Sequence, residues 1–155
     1  MRIRNLIVAS LLTSFFAGAQ AQQESRFVLL PAGEAGSLAR EYPKDGPDRI
    51  DGSWQPTKAI IDDLEASLPR ISELRSFGAP NSAKIEHPGS YFRQYLAVIR
   101  GGKKKIYVNA MCDVTYSVDW RTHLATVTDG GNCFWQAWFD PATGKFTDLY
   151  INGRA

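Results

Sequence analysis

From Tyr91 onward the apolar residues recur with a period of two, and this pattern decides what the chain can build. Between Lys104 and Cys112, Ile106, Val108 and Ala110 fall on one face and Tyr107, Asn109 and Met111 on the other. Between Cys133 and Asp140, Trp135, Ala137 and Phe139 alternate with Phe134, Gln136 and Trp138. Successive side chains of a strand point to opposite faces, so these runs read as strands. Tyr91 to Arg100 is equally rich in strand formers and ends at Gly101-Gly102. Two glycines there signal a tight hairpin, because the favoured two-residue turns need positive φ. Trp120 to Thr128 is expected to be a further strand, closed by the turn Asp129-Gly130-Gly131. After the turn Pro141 to Gly144, Phe146 to Ile151 reads as the last strand. Consecutive strands joined by short turns imply an antiparallel meander.

Ahead of the strands lies one segment of helical period. Ile60, Ile61, Leu64 and Leu68 share a face, with Asp62, Asp63 and Glu65 on the other. Pro56 suits a first helical turn, where its missing N–H has no intrahelical partner. Pro69 should end the helix near Leu68, with Ile71 and Leu74 continuing the stripe in a second short turn. The expected fold class is therefore α+β. One main helix packs on a curved antiparallel sheet of four to five strands over residues 54–155. Residues 22–53 carry scattered Pro and Gly and little periodicity; Phe27 to Leu30 is expected as a short strand within an otherwise extended lead-in.

The first residues carry a different signal. Arg2 and Arg4, the apolar run Leu6 to Phe16 and the small-x-small triplet Ala19-Gln20-Ala21 form the three parts of a cleaved signal peptide over residues 1–21. The apolar run is shorter than the ~20 residues that span a bilayer. The expected location is periplasmic or secreted, with no membrane attachment after cleavage. Taking Arg2 and Arg4 from the 18 basic residues leaves 16, against 16 acidic residues. A chain so balanced has no overall electrostatic reason to seek nucleic acid.

Cys112 and Cys133 are the only two cysteines. Export favours a disulfide, but a strand over 120–128 would set the two cysteines on distant parts of the sheet. Bridged Cα atoms lie within ~7 Å, so pairing stays open at this level. Two histidines without ligand spacing give no expectation of a metal, and no cofactor loop is visible. Asp119, His123 and Asp129 are the residues an enzyme would have to use, although carboxylates at strand ends more often cap turns. The aromatics Trp54, Tyr95, Tyr107, Trp120, Trp135 and Trp138 are the candidates for ligand or partner contact. Trp135 and Trp138 point to opposite sheet faces, so helix packing covers only one of them.

Trp54-Gln55-Pro56, Leu64-Glu65, Leu68, Tyr91-Phe92-Arg93-Gln94-Tyr95, Ile106-Tyr107-Val108-Asn109, Asp129-Gly130-Gly131, Phe134-Trp135, Asp140 and Asn152-Gly153-Arg154-Ala155 resemble small exported bacterial proteins of unassigned function. The order of helix then strands also resembles cystatin-like and NTF2-like architectures, which serve as inhibitors, as ligand pockets and sometimes as enzymes. The expectation is a non-catalytic exported binding protein. Its partner would be another protein of the envelope or extracellular space, in the manner of an inhibitor or immunity protein. A small-ligand pocket between helix and sheet, lined by Trp54, Tyr95, Tyr107, Trp135 and Trp138, is the alternative. An enzyme built on Asp119, His123 or Asp129 is the third reading.

Overall fold

The computed structural model describes residues 25–77, 84–115 and 119–153. Residues 1–21, expected to be a signal peptide, lie outside these. The described residues form an α+β unit in which two helices pack on a mixed, open six-stranded sheet. The elements run β1 (Phe27–Leu29), α1 (Ala35–Ala39), β2 (Ile50–Ser53), α2 (Lys58–Ser67), β3 (Phe92–Arg100), β4 (Lys103–Met111), β5 (Phe134–Asp140) and β6 (Lys145–Ile151). The spatial order is β1-β3-β4-β5-β6, with β2 also paired to β3. β3 to β6 are the expected antiparallel meander.

Three features differ from the sequence reading. The sheet has six strands and is mixed, because β1 runs parallel to β3. A second short helix, α1, is present. Most consequentially, residues 119–128 are not a strand. Their backbone groups bond to side chains from the sheet instead of to a neighbouring strand, as described below. β5 therefore pairs directly with β4. That places Cys112 and Cys133 side by side at the ends of adjacent strands, Cα to Cα 5.0 Å, joined by a disulfide. The Cys112 N–H also donates to the Cys133 carbonyl at 2.9 Å. Residues 25–53, read as a lead-in, place β1 and β2 along the outer edge of β3.

α2 forms where the stripe requires it. Thr57 is its N-cap and accepts from the Ile60 N–H at 3.4 Å, so the helix begins after Pro56 and not at it. Pro69 converts its end to a 3₁₀ turn over Leu68–Glu73, which buries Leu68 and Ile71. The α2 face of the sheet is the main core: Leu64, Ile71, Tyr95, Ile106, Val108, Trp135 and Ala137 are all 0% exposed. The hairpin turn follows the glycine prediction, with Gly101 at φ 55° and Gly102 at φ 75°. A side chain at Gly101 would also collide with the Pro47 carbonyl.

The other face carries a second, smaller cluster of Leu30, Ala35, Leu38, Leu96, Val98 and Trp138, covered by α1. Helices on both sides explain why β3 reads as a nearly continuous apolar run, since such a strand has no solvated face. Among the described residues no helix is long and apolar enough to cross a membrane.

Candidate functional site

Two side-chain rows cross the face that α1 covers in part. Gln94, Asn109, Gln136 and Tyr150 stand in register on β3, β4, β5 and β6. Next to them run Leu96, Tyr107, Trp138 and Thr147. Amides buried on strands need partners, and here they find them in the 119–129 segment. The Gln94 Nε2 donates to the Trp120 carbonyl at 2.5 Å and the His123 carbonyl at 2.6 Å. Its Oε1 accepts from the Ala125 N–H and from the Asn109 Nδ2, both at 2.9 Å. Asn109 also donates to the Ala125 carbonyl at 2.8 Å. At the far end, Asn152 donates to the Val127 carbonyl at 2.5 Å and the Asp129 carbonyl at 3.2 Å. Glu34, just before α1, accepts the Leu124 N–H at 2.8 Å. The segment is thus clamped by side chains at both ends, and the disulfide closes its base.

Held this way, residues 124–128 line a groove of about 1030 Å³ together with Leu38, Glu41 and Tyr42. Tyr107, Asn109, Gln136 and Trp138 lie on its floor, with Asn152, Tyr150 and Phe77 towards β6. Phe77 and Tyr150 are the exposed large apolar residues among the described ones, at 72% and 38%. Their rings meet at 5.4 Å. One end of the groove is charged. Arg100 bridges Asp48 at 2.6 Å and Asp148 at 2.7 Å while its guanidinium lies 4.6 Å from the Trp138 ring centre and 5.8 Å from that of Tyr42. Burial works against the Arg100 charge, but the hydrogen bonds to Asp148 and Asp48 outweigh it and raise its pKa. Burial raises the Tyr42 pKa, against the hydrogen bond that its hydroxyl accepts from the Trp138 indole at 3.1 Å. Burial likewise raises the pKa of Tyr107. The Tyr107 hydroxyl has no hydrogen-bond partner among the described residues.

Of the aromatics singled out from sequence, Tyr107 and Trp138 meet in this groove, with rings 5.1 Å apart. Tyr95 and Trp135 lie in the α2 core at 0% exposure. The Tyr95 hydroxyl there joins a cluster with Glu65 and the buried Arg93, whose Nη2 sits 3.0 Å from the Glu65 Oε2. The Trp135 indole N–H has no hydrogen-bond partner there, and the Tyr91 ring meets it edge-on at 5.7 Å. Trp54 packs at the margin of the α2 core, its indole donating to the Lys105 carbonyl at 3.1 Å. Trp120 packs on Phe92 at 5.5 Å, and its carbonyl holds Gln94. Asp119 and His123 share a turn in which the Asp119 backbone carbonyl, not its carboxylate, accepts the His123 N–H at 2.9 Å. The His123 Nδ1 contacts the Thr122 hydroxyl at 3.0 Å, and the Asp129 carbonyl is bound by Asn152. No hydrogen bond or ion pair joins the side chains of Asp119, His123 and Asp129 among the described residues.

Sequence reasoning missed Gln94, Asn109, Gln136 and Asn152. For Gln94, Asn109 and Gln136 the signal was present, as amides interrupting otherwise apolar strands at positions that fall in register; Asn152 follows β6 and carried no such signal. No family model, curated protein or solved structure matches this chain.

Proposed function

We propose that this chain is an exported, non-catalytic binding protein that holds a partner protein in the groove between the 124–128 segment and α1. One observation carries the reading. A solvent-open groove with an aromatic and amide floor is lined also by the exposed Phe77–Tyr150 pair. Exposed aromatics beside a concave, partly polar surface are the usual anchors of protein recognition. At about 1030 Å³ the groove sits at the upper limit of small-molecule sites, ~300–1,000 Å³, which favours a macromolecular occupant over a single small ligand. Among the described residues that line it, no hydroxyl or thiol is hydrogen-bonded to a carboxylate or imidazole.

Export is supported by the disulfide, since such bonds persist in oxidising compartments, and by the leader-like pattern of residues 1–21. An envelope protein is then the natural partner, and inhibitor or immunity protein the natural role. The order of α2 followed by an antiparallel meander is similar to cystatin-like architectures, which supports that role by analogy of fold alone.

The test compares the mature chain with Thr126→Trp, a substitution on the exposed wall that fills the groove without touching the core. The wild type should retain a saturable partner from envelope extract, and the variant should lose it at unchanged melting temperature. Equal retention by both would place the binding surface elsewhere.

A further inference from the structure

The charges around the groove are not balanced. Its lining holds three carboxylates, on Glu41, Asp48 and Asp148, against the single guanidinium of Arg100. Arg100 is already engaged by Asp48 and Asp148 and stacked against Trp138 and Tyr42. The Glu41 carboxylate has no ion-pair or hydrogen-bond partner among the described residues, and it lines the same groove as the unpartnered Tyr107 hydroxyl. Asp148 stands at φ 53°, a backbone state that Asp tolerates better than most residues.

From this juxtaposition we infer that the occupant of the groove is an extended segment of a partner protein that presents a lysine or arginine side chain to Glu41 and Tyr107, with an apolar residue against Phe77 and Tyr150. The inference rests on the groove being the binding surface. Arg100 shows what this end of the groove accommodates: a cation flanked by carboxylates and laid on aromatic rings, an arrangement favourable because ring faces carry negative potential. The resident guanidinium satisfies two of the three carboxylates, and Glu41 is left to take a second cation from outside. An acidic segment would meet an excess of negative charge, and a neutral one would leave that excess uncompensated. Charges at an exposed rim act mainly on association rate and salt dependence, so the preference should be strongest at low ionic strength.

The experiment uses the mature chain and fluorescein-labelled extended peptides of one length and one apolar content, differing only in a central pair that is basic, amide or acidic. Fluorescence anisotropy should show basic peptides binding about tenfold more tightly than amide ones, and acidic ones more weakly still. That advantage should shrink as salt rises from about 50 to about 500 mM. Glu41→Gln should reduce it about threefold, as for an exposed charge pair. Glu41→Gln with Asp148→Asn should abolish it while amide peptides bind as before. If amide and acidic peptides bind as well as basic ones, and Thr126→Trp blocks all three, the groove stands and its charge preference is overturned. If no peptide class binds saturably, or Thr126→Trp blocks none, the groove itself fails and the inference fails with it.

Discussion

The two faces of the sheet are built by different means. The α2 face is closed by apolar contact, with Leu64, Ile71, Trp135 and Ile106 at 0% exposure. The opposite face has apolar cover only near α1, and beyond that its roof is a loop hung on three amide side chains and one disulfide. Close apolar packing leaves no room and transmits every lost methylene to the whole fold. A segment held by hydrogen bonds and a covalent clasp needs no close apolar packing around it, and the groove lies beside it. The contrast predicts global damage from changes on the first face and local damage from changes on the second.

The largest expected effect is on the packed side. Leu64→Ala should cost about 4 kcal/mol, the lost transfer energy plus the cavity. The melting temperature should drop by about 10 °C or more, with hydrogen exchange accelerated throughout the sheet. If acceleration were confined to α2, the two faces would not differ as argued. Removing the disulfide with Cys112→Ser and Cys133→Ser comes next. The two residues lie 21 positions apart, and closing a loop of this size is worth about 3 kcal/mol through the unfolded chain. Here exchange should rise first at 119–129 and last in β3 and β4. The third effect is smaller and sharper. Gln94→Leu keeps volume but strands the Trp120 and His123 carbonyls and the Ala125 N–H. It should cost about 2 kcal/mol and detach the roof, since unpartnered buried polar groups carry their full desolvation penalty. Exchange across 119–125 together with unchanged protection of α2 would bear it out. Equal loss of protection on both faces would erase the distinction.

The same contrast explains what could be read from the sequence. The α2 face was legible because close packing imposes periodicity: the stripe of Ile61, Leu64 and Leu68, and the alternation of Ile106, Val108, Trp135 and Phe139, are consequences of burial on one side. The Gly101-Gly102 hairpin was legible because its turn demands positive φ. The roof was not. Residues 120–128 have strand-like composition, but strand propensity measures fit to a pleated, half-buried surface. Their backbone finds partners in Gln94, Asn109 and Asn152, which lie far away in sequence. With that strand withdrawn, Cys112 and Cys133 become neighbours, so this misreading accounts for the open question of pairing, while the count of six comes from β1 and β2. α1, at five residues, is too short to show a period; β1 could be read as a short strand, but its parallel pairing with β3 depends on contact across more than sixty residues. The groove was half legible: Tyr107 and Trp138 stood out as aromatics, but the charged end depends on Asp48, Arg100 and Asp148 meeting from three separate segments.

The smallest expected effect tests whether charge contributes to the groove-side face at all. Two residues along β4 from Tyr107 and two along β5 from Trp138, Lys105 and Asp140 form an ion pair at 2.7 Å. The hydrogen bond from Lys105 holds the Asp140 carboxyl below its ordinary value of 3.8; partial burial opposes this, and the Ala142 N–H adds to it. A carboxylate whose pKa is lowered by folding stabilises the folded state above its unfolded pKa. That contribution disappears as pH falls through the folded value. An ion pair this accessible is worth about 0.5 kcal/mol. Lys105→Met should therefore unfold at slightly lower urea than the wild type at neutral pH. The gap should close in acid, as pH falls below the usual carboxylate range and Asp140 becomes protonated in both proteins. A gap that persisted unchanged in acid would mean that the lysine stem, and not its charge, supports this face. The packed and the polar sides of the sheet would then be more alike than their side chains suggest.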